Sequence, residues 1–231
     1  MKEKVFEILE QDIRFKEALT SCMNCGVCTA ICPAAEFYQY DPRIICNIVQ
    51  RRDFDEIEQL LRSDTIWYCG QCMSCKTRCP RGNVPALLIV VLRRISQECG
   101  YFTQSEKGRQ QYAIEQVVGQ SIINTGYCVH PDIMTYENHP EQGPVWKWFL
   151  DNIVDVSNRL GAKYKQETAG ALRKIKSENI EEIKKIFEVT GGTTLYKKIE
   201  EESEEFAQKQ EIKMDDFFMK VYLDDNGTHT R

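Results

Sequence analysis

The sequence predicts an all-α chain, and three observations carry the prediction. Apolar residues recur every three or four positions in many segments, as they do on one face of an amphipathic helix. The stretch between the two cysteine runs contains no alternation of apolar and polar residues, which would indicate strands. Pro42 and Pro144 stand where helices would start, and Gly100 and Gly161 stand where helices would stop.

The composition is that of a globular protein without a basic surplus. The chain has 231 residues, of which 42% are hydrophobic and 28% charged, and its formal net charge is −5. This length permits one or two domains. A general nucleic-acid-binding protein would need an excess of basic residues, so no nucleic-acid partner is expected.

The first expected helix covers residues 2–20. Val5, Leu9 and Ile13 recur every four residues, and Phe6 and Leu19 lie near the same face. We expect this helix to pack on the cysteine-rich domain that follows. Its charged residues, at positions 2–4 and 7, are incompatible with the apolar core of a secretory signal.

Two cysteine runs share the spacing C-x2-C-x2-C-x3-C-P. The first run consists of Cys22, Cys25, Cys28 and Cys32, and the second of Cys69, Cys72, Cys75 and Cys79. Each cysteine of the second run lies 47 positions after its counterpart in the first. A [4Fe–4S] cluster needs four thiolates, and this spacing is typical of ferredoxins that carry two such clusters.

The fourth cysteine of each run is expected to bind the cluster of the other run. Pro33 and Pro80 follow Cys32 and Cys79, and a proline disfavours the helical conformation of the residue before it. In two-cluster ferredoxins the fourth cysteine ligates the other cluster. The predicted ligand sets are therefore Cys22, Cys25, Cys28 and Cys79 for one [4Fe–4S] cluster, and Cys69, Cys72, Cys75 and Cys32 for the other.

Other uses of these cysteines fit the pattern less well. Structural zinc takes two ligands from each of two C-x2-C units and does not need a third step, a fourth cysteine and a proline. A disulfide framework is disfavoured because the cysteine count, 11, is odd. Cys46, Cys99 and Cys128 lie outside the runs and are expected to be small apolar side chains. Of these three, Cys128 is the strongest candidate for a further role, since it lies in a loop. No catalytic residue is predicted.

The segments around the second run also predict helices. Asp41 and Pro42 can start one helix, and Asp53 can start a second that ends near Ser63. Residues 84–92 form the longest apolar stretch, which we expect to be a buried helix over the clusters. These nine residues fall short of the roughly 20 that span a bilayer, so no transmembrane helix is expected.

The second half of the chain is predicted to be a helical extension. Helices are expected over residues 103–118, 144–161 and 177–191. Residues 119–144 are expected to form a long irregular loop, and residues 197–211 a solvated helix or a disordered arm. Apolar residues return near the C-terminus, where they would dock on a partner or on the chain's own core.

The chain is accordingly divided near residue 100. Residues 1–100 are predicted to form a domain that binds two [4Fe–4S] clusters. Residues 101–231 are predicted to form the helical extension, with partner docking as its role.

The cysteine runs, separated by helices, resemble the α-helical ferredoxin group. Within that group, residues 22–33 (CMNCGVCTAICP) and 67–75 (WYCGQCMSC) most resemble the C subunit of heterodisulfide reductase. Residues 143–148 (GPVWKW) and the extension beyond residue 190 resemble the heterodisulfide reductase-like complex of sulfur oxidisers.

The resemblance implies that the chain is an electron relay in the cytoplasm. Any association with the membrane would be peripheral and would occur through its partners. The flavin-containing and the cysteine-rich subunits of such a complex would be those partners, and a lipoate-binding protein would carry the sulfur substrate to it. This chain would be the iron–sulfur subunit, without a substrate site of its own.

Two alternatives stay open. An iron–sulfur subunit of a quinone-linked dehydrogenase would require a membrane-anchor partner and often carries a plant-type [2Fe–2S] run, which this sequence lacks. A cluster-containing regulator would require a helix-turn-helix or a basic patch, and the sequence shows neither.

Overall fold

The computed structural model describes residues 2–223, which form helices and no strand. The all-α prediction is therefore confirmed. The described chain divides into two compact units, the first ending at Arg109 and the second beginning at Gln110. None of the helices in this part of the chain is long and apolar enough to cross a membrane. The end of the predicted extension, residues 224–231, lies outside the described residues.

The first unit is built from short helices around one longer helix. These helices are α1 (Lys2–Gln11), α2 (Ile13–Ala18), α3 (Val27–Ala30), α4 (Ala34–Phe37), α5 (Pro42–Arg51), α6 (Phe54–Arg62), α7 (Ser74–Arg78) and α8 (Pro85–Glu98). Single 3-10 turns at Asp64–Trp67 and Tyr101–Gln104 connect some of them, and α9 (Glu106–Ile114) contains the boundary between the units.

Helix α8 forms the centre of the first unit. Its residues Leu88, Ile89, Leu92 and Ile95 are fully buried, and it packs against α1, α2, α5 and α6. Full burial of one such side chain stabilises a fold by about 1.5–3 kcal/mol. The apolar stretch predicted as a buried helix is therefore the core helix of this unit.

The two predicted aspartate caps are present. Asp41 accepts hydrogen bonds from the backbone amides of Arg43 and Ile44 at the start of α5. Asp53 does the same for Asp55 and Glu56 at the start of α6. Each satisfies amides that would otherwise lack a partner in the first helical turn.

The single helix predicted over residues 2–20 is wrong. The helix is interrupted at Asp12, whose carboxylate caps α2 by accepting a hydrogen bond from the Arg14 amide. Asp12 is only 4% exposed, whereas Ile13, which was expected on the apolar face, is 77% exposed. The break rotates the second segment, so the four-residue apolar repeat does not continue through it.

The second unit is also helical. Its helices are α10 (Gln120–Thr125), α11 (Pro144–Asp151), α12 (Ile153–Arg159), α13 (Ser177–Val189), α14 (Gly192–Lys209) and α15 (Met214–Leu223). A π-helical turn, Glu115–Gly119, precedes α10, so the long loop expected from residue 119 begins only after Thr125. The helix expected over residues 144–161 is interrupted at Asn152.

The C-terminal apolar residues pack on their own unit. Phe217 is fully buried on α15, with its ring 5.9 Å from Phe206 and 5.8 Å from Tyr112. Helix α14 covers most of the segment that was expected to be solvated or disordered, and it buries Ile199 and Ala207. Of the two expectations for the apolar residues, the structure favours docking within the chain.

Candidate metal centres

The eight predicted ligands lie around two separate cavities in the first unit. One, here called the Cys69 cavity, is lined by Cys32, Cys69, Cys72 and Cys75 and has a volume of about 240 Å³. The other, here called the Cys22 cavity, is lined by Cys22, Cys25, Cys28 and Cys79 and is narrower, at about 20 Å³. Each cavity therefore collects three cysteines from one run and the fourth from the other.

The two cysteine runs share one backbone conformation. Asn24 and Gly26 have left-handed φ angles of 59° and 80°, and Gln71 and Met73, 47 positions later, have 53° and 60°. Helices α3 and α7 then begin at equivalent positions, Val27 and Ser74. Left-handed residues are costly except for glycine and, to a lesser degree, asparagine. The repetition of these costly conformations indicates that both loops need the same backbone path to place their cysteines.

The fourth cysteines follow these short helices. Cys79 caps α7 in an extended conformation, with φ −72° and ψ 117°, as the following proline requires. Cys32 follows the corresponding helix α3 and lies outside regular secondary structure. The chain thereby carries each of these two thiols to the cavity that the other run surrounds.

Amide side chains position the first run. Gln50, on α5, accepts a hydrogen bond from the Cys22 amide at 2.5 Å. The buried Asn83 accepts from the Thr20 amide at 2.9 Å and donates to the Ser21 carbonyl at 2.9 Å. These contacts hold the loop that carries the first run against α5 and against the segment that enters α8.

The thiols do not converge as ligands of a single ion would. Within residues 2–223, no three His, Cys, Asp or Glu side chains are close enough together to hold one metal ion. A four-iron cluster instead needs its four thiolates distributed around a cube, with one on each iron. The arrangement of four thiols around an open volume suits the second geometry.

Each cavity is also lined by a buried donor without a partner. The Tyr40 hydroxyl at the Cys69 cavity and the Arg43 Nε at the Cys22 cavity are both buried, and neither has a hydrogen-bond partner of standard geometry among the described residues. Buried polar atoms in proteins are normally satisfied. A group with acceptor atoms in each cavity, such as the sulfur atoms of a cluster, would satisfy both donors.

The surroundings of the Cys69 cavity are apolar and aromatic. Phe37, Tyr38 and Tyr68 line it, and the Tyr38 and Tyr68 rings are stacked with their centroids 4.3 Å apart. Burial, together with the neighbouring Cys69 thiol, raises the pKa of the Tyr40 hydroxyl well above its usual range. The hydroxyl therefore keeps its proton and remains a hydrogen-bond donor.

A half-buried arginine supports the loop that enters the second run. Arg93, on α8, donates to the carbonyl oxygens of Ile66, Trp67 and Cys69 at 2.8, 2.9 and 2.7 Å. Its guanidinium also lies 5.4 Å from the centre of the Trp67 ring. These contacts fix the backbone immediately before Cys69.

Sequence reasoning did not identify Tyr40 or Arg93, whereas it expected Cys46 to be a small apolar side chain, which agrees with its burial. Cys46 is only 1% exposed and lines the Cys22 cavity without belonging to either set of four. Burial, followed by the neighbouring Cys22, raises the pKa of its thiol well above its usual range. Cys99 is half-buried and Cys128 is exposed, and neither lines a cysteine cavity.

Comparison with known proteins agrees with this site. Residues 17–83, which contain both cysteine runs, match the family described as a 4Fe-4S dicluster domain. This part of the chain is therefore similar to domains of the iron–sulfur class.

The relatives of the chain define the class more narrowly. The chain is 35% identical over 127 residues to the C subunit of the ferredoxin:CoB-CoM heterodisulfide reductase of Methanosarcina acetivorans, which is 51% of this chain and 50% of the relative. It is 29% identical over 129 residues to the iron-sulfur C subunit of the CoB–CoM heterodisulfide reductase of Methanopyrus kandleri, which is 55% and 61% of the two chains. The predicted resemblance to the C subunit of heterodisulfide reductase is therefore confirmed, and it spans about half the length of the first of these relatives.

Proposed function

We propose that this chain is an electron carrier, the iron–sulfur C subunit of a heterodisulfide reductase-like complex. The observation that supports it most strongly is the grouping of eight cysteines around two cavities, three from one run and one from the other. Two clusters held in this way share both loops, so neither loop can move independently of the other cluster.

The ligand assignment is part of this proposal. Cys22, Cys25, Cys28 and Cys79 would hold one [4Fe–4S] cluster, and Cys69, Cys72, Cys75 and Cys32 would hold the other. Each cluster, when bound, supplies a one-electron carrier. The chain's own residues fix the thiols, exclude water with the aromatic wall of the Cys69 cavity, and offer the Tyr40 hydroxyl and the Arg43 guanidinium as donors to sulfur.

The surface around the cysteines supports a relay with two contact sites. Cys25 and Cys72 are the exposed members of their sets, so each cavity approaches solvent at one thiol. Exposed apolar side chains lie beside both: Met23 is 60% exposed at the Cys22 cavity, and Phe37 is 67% exposed at the Cys69 cavity. One site would receive electrons and the other would deliver them.

The partners are proposed from the likeness to the C subunit. The flavin-containing and the cysteine-rich subunits of the complex would exchange electrons through this chain. A setting in cytoplasmic sulfur oxidation, with a lipoate-binding protein as sulfur carrier, is the finer form of the proposal. In either setting the substrate chemistry would occur on a partner protein, and we propose no substrate site among residues 2–223 of this chain.

Iron analysis tests the cluster content and the crossed ligation. Full-length protein prepared without oxygen is expected to contain about eight irons and eight acid-labile sulfides. A variant with Cys69, Cys72 and Cys75 changed to alanine should retain about four irons in the Cys22 cavity. Adding Cys79→Ala should remove them, whereas adding Cys32→Ala, the matched control, should not. The opposite dependence would show that each fourth cysteine serves its own run.

Stopped-flow spectroscopy tests the relay. The oxidised chain is mixed with the reduced flavin-containing subunit, and then with the cysteine-rich subunit carrying a disulfide substrate, both from the same source as this chain. We expect the visible absorption of the clusters to bleach in the first step and to return in the second. Reduction by a quinol, together with no reaction with the flavoprotein, would favour the quinone-linked dehydrogenase and overturn the proposal.

A further inference from the structure

We propose that Arg93, the Gln71 amide and Tyr40 raise the reduction potential of the group bound in the Cys69 cavity above that of the group in the Cys22 cavity. This inference rests on the proposed function, because it requires a cluster in each cavity. Its consequence is a direction: one electron leaves the cluster at Cys22, which is oxidised, and reaches the cluster at Cys69, which is reduced.

The first observation is a positive charge without a partner carboxylate. Arg93 donates its hydrogen bonds to three backbone carbonyls, one of which belongs to Cys69 itself. No ion pair between Arg93 and a carboxylate occurs in the part of the chain that the structure describes, and its hydrogen bonds and its contact with the Trp67 ring are all made to neutral groups. Because Arg93 is half-buried, solvent screens its charge only in part.

The second observation is a set of neutral donors at the same cavity. Ala86, in the first turn of α8, lines the Cys69 cavity, whereas Pro85, the first residue of that helix, lines the Cys22 cavity, so the helix N-terminus lies beside both cavities and does not distinguish them. The Gln71 amide donates to the Cys69 sulfur at 3.4 Å, and the Tyr40 hydroxyl adds a further donor.

The Cys22 cavity is electrostatically different. Its arginine, Arg43, forms an ion pair with the Asp41 carboxylate at 2.8 Å, so the two charges largely cancel. The Thr29 hydroxyl, next to Cys28, donates its proton to the same carboxylate. Arg81 also lines this cavity, but it is exposed and therefore screened by solvent.

The difference in charge determines the order of the potentials. Reduction adds one negative charge to a cluster, so a positive environment with more donors to sulfur favours the reduced form. An uncompensated guanidinium, the Gln71 amide and a buried hydroxyl act on the Cys69 cavity and its cysteines. A neutralised pair acts on the Cys22 cavity. The sequence alone does not reveal this, because Arg93 and Asp41 are far in sequence from the thiols that they influence.

An EPR-monitored redox titration of the full-length, cluster-loaded chain tests the inference. The native chain should give two midpoint potentials. Arg93→Gln should lower only the higher one, by about tenfold in the reduction equilibrium, which corresponds to about 59 mV for one electron. Tyr40→Phe should lower the same potential by the amount that corresponds to an about threefold smaller equilibrium constant for reduction. Asp41→Asn, in which asparagine still caps α5, should raise only the lower potential.

Arg94→Gln is the matched control. Arg94 follows Arg93 on α8, is exposed, and is paired with Asp12 and Glu98, so neither potential should move. If Arg93→Gln fails to assemble clusters, Tyr40→Phe and Asp41→Asn still decide the matter. The inference would be overturned if none of the three variants shifted either of the two potentials. It would also be overturned if Arg93→Gln and Tyr40→Phe shifted the lower potential and Asp41→Asn the higher one. Either result would leave the relay intact. Fewer than about eight irons in the native chain would instead remove the proposed function.

Discussion

Replacement of Asp12 by asparagine tests how the N-terminal helices are held to the core helix. The Asp12 carboxylate is buried and accepts hydrogen bonds from the Arg14 amide, from the Arg14 guanidinium and, at 3.1 Å, from Arg94 on α8. Asparagine keeps the size of the side chain and its ability to cap α2. The substitution therefore removes the negative charge while preserving the local fold.

The magnitude follows from the pKa of this carboxyl group. The hydrogen bonds donated by Arg14 lower the pKa of Asp12 from 3.8 to about 2, against the opposing effect of burial. A difference of about 1.8 pKa units corresponds to about 2 kcal/mol of stability when the group is ionised. Because the pKa in the folded state is the lower one, this stability is present above about pH 4 and is lost as the pH falls towards about 2.

Anaerobic urea unfolding, followed by helical circular dichroism, measures the effect. Asp12→Asn should lower the free energy of unfolding by about 2 kcal/mol, equally at pH 6 and pH 8. Asp55→Asn, which changes an exposed aspartate in the first turn of α6, is the control and should change it by less than about 0.5 kcal/mol. A loss no larger than that of the control, or a loss that changes between pH 6 and pH 8, would refute the reasoning.

Three further substitutions have defined outcomes. Cys46→Ala should leave the iron content unchanged, because this cysteine belongs to neither set of four; loss of one cluster's iron would make it a ligand. Gly119→Ala should lower the free energy of unfolding by about 1–3 kcal/mol, since its new Cβ would lie 2.9 Å from the Tyr196 ring, and an unchanged melting temperature would contradict this. Tyr222→Phe removes a hydrogen bond of 2.7 Å with His139 and should cost about 1 kcal/mol in chemical denaturation, whereas a stabilised variant would argue against the contact.

Local patterns were sufficient to predict most helices of the first unit. Asp41 and Asp53 start helices as predicted, because capping depends only on residues within one turn. The break at Asp12 was missed although its cap is local, because the apolar repeat at Val5, Leu9 and Ile13 favoured one continuous helix. The helix predicted over residues 103–118 was expected to give way to a loop at residue 119, but Gly119 has helical angles, with φ −62°, and the left-handed stop is Gly126, with φ 78°.

The cysteine spacing predicted how the eight thiols are grouped around the two cavities because it acts through local geometry. The proline after Cys79 determines its extended conformation, and the repeat of 47 residues determines that both loops curl alike. The charges around the cavities, in contrast, depend on residues that only the packing of distant segments brings together. Tyr40 lines the Cys69 cavity and Arg93 contacts the Cys69 carbonyl only through the packing of the segment before α5 and of α8, so no pattern in the sequence marks them.

An anomalous difference map at the iron absorption edge, from crystals grown without oxygen, tests the crossed ligation most directly. We predict two groups of four irons, one bonded to the sulfurs of Cys22, Cys25, Cys28 and Cys79, and the other to those of Cys69, Cys72, Cys75 and Cys32. A map in which Cys32 and Cys79 bind the iron of their own runs, or in which each cavity holds a single ion, would contradict the crossed assignment.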